Sequence, residues 1–380
     1  MRFVVAPDSY KGSVSALEAA MAMEIGIKRV FPSAGVVKIP LADGGEGTVQ
    51  TLVESTRGVL HKKRVTGPMG KMVEAIWGVL GDGKTAVIEM ASASGLPLVP
   101  AAGRNPLEAT TAGTGQLIQE VLEAGLKRLV LGIGGSATND GGMGAVRALG
   151  ARFVDAAGKD LPEGGGSLGT LASIELAGLD PRLRELEILV ACDVDNPLCG
   201  ERGASAVFGP QKGATPEMVA FLDAALAHYA DIAERVTGRK VKDAAGAGAA
   251  GGFGAGLLFF TGARMRPGVE IVLEATHFAE AAAEADVIIT GEGNTDFQTA
   301  FGKAPVGAAA AAKRFKKPVV CVSGGLGAGY RDVYAKGIDV AMPCPAEPMS
   351  LRQCMELGAE PISDAVERVC KLLQIGMRLG

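Results

Sequence analysis

The sequence predicts an α/β protein of two domains, in which a parallel-sheet domain built from both chain ends is interrupted by a long mixed α/β insert. Three observations predict it. Short apolar runs alternate with helical patterns near the N-terminus, the same rhythm returns after residue 284, and the stretch between them carries a hairpin signature. With 380 residues, 48% of them apolar, the chain can bury a large core, and its length favours two domains.

At the N-terminus, Phe3-Val4-Val5-Ala6 reads as a buried strand. Ser15 and Glu18 form a capping box that opens a helix running to about Val30. Val36 to Pro40 is a second strand, and Asp286–Thr290, Pro318–Val322 and Ile338–Met342 supply three more. Together they predict a five-stranded parallel sheet from residues 1–60 and 284–380, with the insert spanning 61–283. Within the insert, Val73–Leu80 and Thr85–Met90 flank Gly81-Asp82-Gly83-Lys84, which predicts a hairpin that a doubly wound sheet does not accommodate. Thr215-Pro216-Glu217 opens a helix whose Val219, Leu222, Leu226, Tyr229 and Ala233 share a face and which ends near Gly238.

Composition narrows the function. The 42 acidic and 38 basic residues are mixed along the chain and leave a net charge of −4, so no basic field exists for nucleic acid or anionic lipid. Six cysteines without a C-x-x-C pair fit reduced, packed thiols, and the short apolar start does not make a signal peptide, so the expected location is the cytoplasm. The uncharged stretch 244–263 is long enough to cross a bilayer, but it is dominated by Gly and Ala and is expected to be a close-packing segment.

Two familiar patterns are discounted on context. Gly78 to Thr85 spells a Walker A loop, yet a β-like run follows where a phosphate-binding helix should start. Gly246-x-Gly248-x-x-Gly251 spells a dinucleotide fingerprint without a strand before it. His61, His228 and His277 have neither metal-ligand nor nucleophile spacing.

Five other segments combine glycines with carboxylates or amides, most of them just after a strand, where α/β ligand sites form. Asp8-Ser9-Tyr10-Lys11 follows the first strand and offers a carboxylate, hydroxyls and an ammonium, although helix capping would also explain Asp8 or Ser9. Asp43-Gly44-Gly45-Glu46 follows the second. Gly134-Gly135-Ser136 begins a loop rich in backbone N–H groups, a nest for anionic oxygens, and Asn139 and Asp140 add oxygens suited to a metal. Asp193 and Asp195, with Asn196, follow an apolar strand and can share a cation or substrate. Glu292-Gly293 and Asp296 follow another, with Lys303 downstream to meet nucleotide phosphate. Oxygen ligands for Mg²⁺, donors for phosphate and a carboxylate base are the parts phosphoryl transfer needs.

The segments around Asp8, Asp43, Thr111–Gln116, Gly132–Gly142, Asp193–Leu198, Phe208–Gly213 and Thr290–Gly293, in this order, resemble the bacterial type I glycerate kinases over nearly the whole chain. The resemblance implies ATP-dependent phosphorylation of D-glycerate, most often at the 2-hydroxyl, a flavodoxin-like part formed by both ends, and an active site in the cleft between domains. It departs at Asn294-Thr295-Asp296, where an Arg, an aliphatic residue and an Asp are associated with the family.

The expected assignments follow. Catalysis falls to Asp193 as base, with Lys11 and Asp296; Asp8, Ser9, Asp43, Gly134, Gly135, Ser136, Asp195 and Asn196 bind substrate. Glu292, Gly293 and Lys303 bind nucleotide, and Asp43, Asp140 and Asp193 hold the metal. The cofactors are ATP and Mg²⁺, and neither nucleic acid nor a membrane is a partner. Two other readings compete: an NAD-dependent hydroxy-acid dehydrogenase on the Gly246 fingerprint, and a non-catalytic hydroxy-acid sensor on the same fold.

Overall fold

A computed structural model describes residues 1–42, 44–45 and 47–379. Its strands, in chain order, are β1 (Arg2–Pro7), β2 (Gly35–Lys38), β3 (Val59–Thr66), β4 (Met72–Val79), β5 (Thr85–Glu89), β6 (Arg128–Gly132), β7 (Arg152–Val154), β8 (Ser173–Glu175), β9 (Glu187–Ala191), β10 (Arg264–Arg266), β11 (Val287–Thr295), β12 (Val319–Leu326) and β13 (Val340–Pro343). The chain divides into two compact units: Met1–Asp43 with Glu54–Thr56 and Val269–Gly380, and Gly44–Val53 with Arg57–Gly268.

The first unit is the parallel-sheet part. Its strands lie in the order β13-β12-β11-β1-β2, all pairs parallel, which is the flavodoxin-like order. Phe3, Val4 and Val5 are wholly buried, as a strand covered on both faces requires. Helix Ala16–Val30 opens on the Ser15–Glu18 capping box and packs on helix Glu360–Leu379, so closely that a Cβ on Gly26 would meet the Ser363 carbonyl oxygen at 2.3 Å. The return to this unit falls at Val269, earlier than residue 284. Val269 is buried and lies against Gly307 in helix Ala304–Lys313, which draws the segment before β11 onto the first unit.

The second unit holds a six-stranded sheet in the order β10-β9-β6-β5-β4-β3. β5, β6, β9 and β10 pair in parallel, whereas β3, β4 and β5 pair antiparallel. The β4–β5 connection is the predicted hairpin. Asp82 accepts hydrogen bonds from the backbone N–H of Lys84 and Thr85 and from the Thr85 hydroxyl, which closes the turn and leaves Lys84 exposed. β7 and β8 form a separate antiparallel pair. Helix Pro216–Thr237 starts at the Thr215 cap and ends on Gly238 in the left-handed conformation.

The Gly/Ala-rich stretch is a packing element. Gly251 has φ +67°, and a Cβ there would lie 2.0 Å from the Thr138 carbonyl oxygen, so only glycine lets this segment press against the loop after β6. Among the described residues no helix is long and apolar enough to cross a membrane. No strand runs directly into Gly246, which follows helix Pro216–Thr237 and a loop, so the dinucleotide fingerprint lacks its structural context. Two of the three histidines make structural contacts: His61 stacks on Trp77 at 4.5 Å, and His228 Nε2 lies 2.7 Å from the Leu171 carbonyl oxygen.

Candidate active site

Open α/β sheets place ligands at the C-terminal strand ends where the strand order reverses. In the first unit this point lies between β1 and β11, since β2 extends the sheet on one side and β12 and β13 on the other. Register pairs Pro7 with Gly291, and the Asp8 N–H donates to the Gly291 carbonyl at 2.8 Å. The two predicted segments, Asp8–Lys11 and Glu292–Asp296, therefore meet at this edge. The approach is close: a Cβ on Gly293 would stand 3.3 Å from the Lys11 backbone nitrogen and 3.4 Å from the Tyr10 Cα, a tight fit. Lys11 is exposed, and Tyr10 is buried with its hydroxyl donating to the Val322 carbonyl at 2.7 Å.

Glu292 is 6% exposed. Its Oε1 accepts hydrogen bonds from the hydroxyls of Thr295 (2.9 Å) and Thr299 (2.7 Å), and the Thr295 hydroxyl also lies 2.6 Å from Ser323 Oγ. Burial raises the carboxyl above its ordinary range, while the two hydroxyls and the charge of Lys303 pull the other way. Lys303 caps helix Ala304–Lys313 in an extended conformation. Asp296 is spent on its own turn, accepting from Asn294 Nδ2 at 2.9 Å and from the Gln298 N–H at 2.8 Å. The departure at Asn294 thus pairs with the carboxylate that was expected in catalysis.

In the second unit, the loop after β6 exposes Gly134 and Gly135 and buries the Ser136 side chain. A bridge between Gly95 and Ser136 and the bond from the Ala137 N–H to the Ser94 carbonyl fix its path. Asp140, expected as a metal ligand, is wholly buried. Its carboxylate accepts from the Thr111 N–H (2.9 Å) and hydroxyl (2.8 Å) and from the N–H groups of Gly142 (3.1 Å) and Gly144 (3.2 Å). Through these four donors Asp140 ties the loop after β6 to Thr111 and to the start of the helix at Met143. Its pKa is raised by burial, with those same donors opposing.

Lys212, from the Phe208–Gly213 segment, is 1% exposed, and its Nζ donates to the Thr138 carbonyl at 2.6 Å. Burial pulls its pKa down to about 7, against the charge of Asp140. Among the catalytic and binding assignments neither Lys212 nor Glu89 had been expected. Glu89, at the end of β5, accepts from the N–H groups of Gly47 and Val49 and so anchors the start of helix Thr48–Thr56. An acid closing an otherwise apolar strand was the available signal for Glu89.

Asp193 and Asp195 follow β9 and are both exposed. Their partners differ: Asp193 Oδ1 accepts from the Gly268 N–H at 2.9 Å, whereas Asp195 forms an ion pair with Arg202. Asn196 is tied to the Arg202 carbonyl. Asp43 and Glu46 lie outside the described residues. Among those described, no group of three or more His, Cys, Asp or Glu is arranged for a metal ion. Mg²⁺ on a nucleotide needs only one or two carboxylates beside the phosphates, so the exposed oxygen donor at Asp193 still suits it.

The profile of the Glycerate kinase family matches residues 3–374. A glycerate kinase from Haemophilus influenzae is 52% identical over 373 residues, covering 98% of this chain and 99% of that protein. A glycerate 2-kinase from Escherichia coli is 49% identical over 378 residues, covering 100% and 99%. A crystal structure assigned as glycerate kinase 2, from Salmonella typhimurium LT2, is similar with a TM-score of 0.92 at 50% identity and covers 100% of this chain and 99% of that one.

Proposed function

The chain belongs to the glycerate kinase family, and from that premise we propose that it transfers the γ-phosphoryl group of ATP to the 2-hydroxyl of D-glycerate, giving 2-phospho-D-glycerate and ADP. The observation that carries the reading is the junction of Asp8–Lys11 with Glu292–Gly293 at the β1/β11 switch point. It combines an exposed ammonium, backbone donors and carboxylates within one ligand-binding edge, a set suited to a phosphorylated ligand.

In this reading Lys11 and Lys303 meet nucleotide phosphate, with Gly293 allowing close backbone approach. Asp8 and Ser9, together with the Gly134-Gly135 turn and Asn196, bind the hydroxy acid. The N–H groups of that turn suit its carboxylate. Asp193 and Asp43 would hold Mg²⁺, which neutralises charge on the phosphates when bound. In-line transfer is the arrangement the family resemblance implies. The dehydrogenase reading is not favoured, because nothing before Gly246 supplies the strand that its fingerprint requires.

A coupled assay of ADP release with D-glycerate, L-glycerate, glycerol and tartronate, with NMR of the product, tests the proposal. D-Glycerate should be the preferred acceptor, the product should carry phosphate on C2, and excess EDTA should stop turnover. Binding of D-glycerate without ADP release would make the protein a sensor, and turnover in EDTA would remove the metal.

A further inference from the structure

A hydroxyl is a weak nucleophile at neutral pH, so its phosphorylation calls for a carboxylate that is rigidly held, able to take a proton, and not already consumed by its neighbours. Three of the described carboxylates in the candidate segments fail one of these conditions. Asp140 is sealed in the interior, Asp296 is occupied by its own turn, and Asp195 is paired with Arg202 at the surface. Asp193 is exposed and holds the Gly268 N–H.

Glu292 meets all three conditions. It sits at the switch point, where register places it one step beyond the Pro7–Gly291 pair and next to Asp8. Two threonine hydroxyls clamp Oε1, and Ser323 backs one of them. Oε2 forms no hydrogen bond among the described residues, although the side chain is 6% exposed. A carboxylate gripped by one oxygen presents the other in a fixed direction.

We infer that Glu292 is the base that accepts the proton of the hydroxyl being phosphorylated. The inference rests on the kinase reading above and deepens it. The glycerate hydroxyl gives its proton to Oε2 while its oxygen forms a bond to the γ-phosphorus of the nucleoside triphosphate. The bond from that phosphorus to the bridging oxygen breaks, and its electron pair leaves with the nucleoside diphosphate. Protonated Glu292 then returns its proton to water. The surroundings suit this cycle: burial lifts the carboxyl above its ordinary range, and the Thr299 and Thr295 hydroxyls favour the ionised form. The other titratable or charged groups that act on Glu292 are Asp296 and Lys303 from the following segment, Tyr10 after β1 and Cys321 on β12. The Tyr10 hydroxyl and the Cys321 thiol are both raised by burial and stay neutral in the working range.

The test is the pH profile of single-turnover phosphoryl transfer, measured with ATP, D-glycerate and Mg²⁺ on the full chain. Wild type should show an acid limb from one ionisation. Glu292→Gln should lose at least about a hundredfold in rate together with that limb. Thr299→Val removes a donor that favours the carboxylate, so its limb should move to higher pH while transfer at high pH survives. Independently of activity, the carboxyl resonance lost in Glu292→Gln should titrate above the usual glutamate range in ¹³C NMR and shift up again in Thr299→Val. A Glu292→Gln protein that keeps the limb, or more than about a tenth of the rate, overturns the assignment. So does an unmoved limb in Thr299→Val, or a loss in Glu292→Gln that excess Mg²⁺ restores, which would make Glu292 a cation-positioning residue. Wild-type turnover separates the two claims: if wild type phosphorylates no hydroxy acid the kinase reading fails, and if it does while the limb stays with Glu292→Gln only the base is wrong.

Discussion

The Lys212 ammonium and the Thr138 carbonyl, 74 residues apart, are joined by a 2.6 Å hydrogen bond in the interior of the second unit. A lysine so placed has a proton affinity far below that of an exposed one, and it ties down the loop after β6 that carries Gly134 and Gly135.

Stability should therefore depend on pH through Lys212. Its pKa is about 7 when folded against an ordinary value of 10.5, so between these limits the unfolded chain binds the proton and the folded chain does not. The sign follows: stability rises as pH increases from about 7 toward 10, falls as pH drops back from 10.5 toward 7, and levels off below about 7, where both states bind the proton. Urea unfolding of wild type should show this rise across pH 7 to 9.5, and Lys212→Met should flatten it. Parallel curves would show that Lys212 carries no such linkage.

Thr111 is the second strut of the same loop. Its hydroxyl donates to Asp140 and accepts from the Ala145 N–H at 2.9 Å. Thr111→Val leaves both partners short of a bond in the interior and should cost about 1–3 kcal/mol in urea unfolding. Thr111→Ser, which keeps the hydroxyl, should recover most of the loss.

Asp193 is proposed to hold Mg²⁺, so its substitution should act through the metal. Asp193→Asn should raise the half-saturating Mg²⁺ concentration by about tenfold, or about 1.4 kcal/mol. Equal Mg²⁺ dependence in variant and wild type would count against the role.

Lys84 lies on an exposed hairpin tip, closed by Asp82. Lys84→Ala should leave the Michaelis constant for ATP nearly unchanged. A hundredfold rise, about 2.7 kcal/mol, would revive the Walker loop that the sequence spells.

Much of the fold was legible because strand and helix signals are local. Phe3–Ala6, the Ser15–Glu18 box and the Gly81–Lys84 turn each declare themselves within a few residues, and the structure forms all three. The chemistry was less legible because it depends on distant partners. Nothing near Glu292 in the sequence announces that Ser323 backs its clamp, just as nothing near Asp140 announces that Thr111 lies beside it. Asp193 and Asp195 show the converse, since strand alternation would align them but the strand ends at Ala191 and each finds its own partner.

The position of β1 also governs the order in which the protein can fold. β1 is an interior strand, yet only β2 among its neighbours is translated soon after it, while β11 emerges after the inserted unit. Chains grow at about 5–20 residues per second, so β1 waits on the ribosome for tens of seconds with one hydrogen-bonding edge open. Over that interval the inserted unit, nearly contiguous in sequence, can complete its own core. The sheet carrying the candidate base is therefore the last part of the molecule to close, and a nascent chain stalled before residue 287 would hold an apolar strand without its partner.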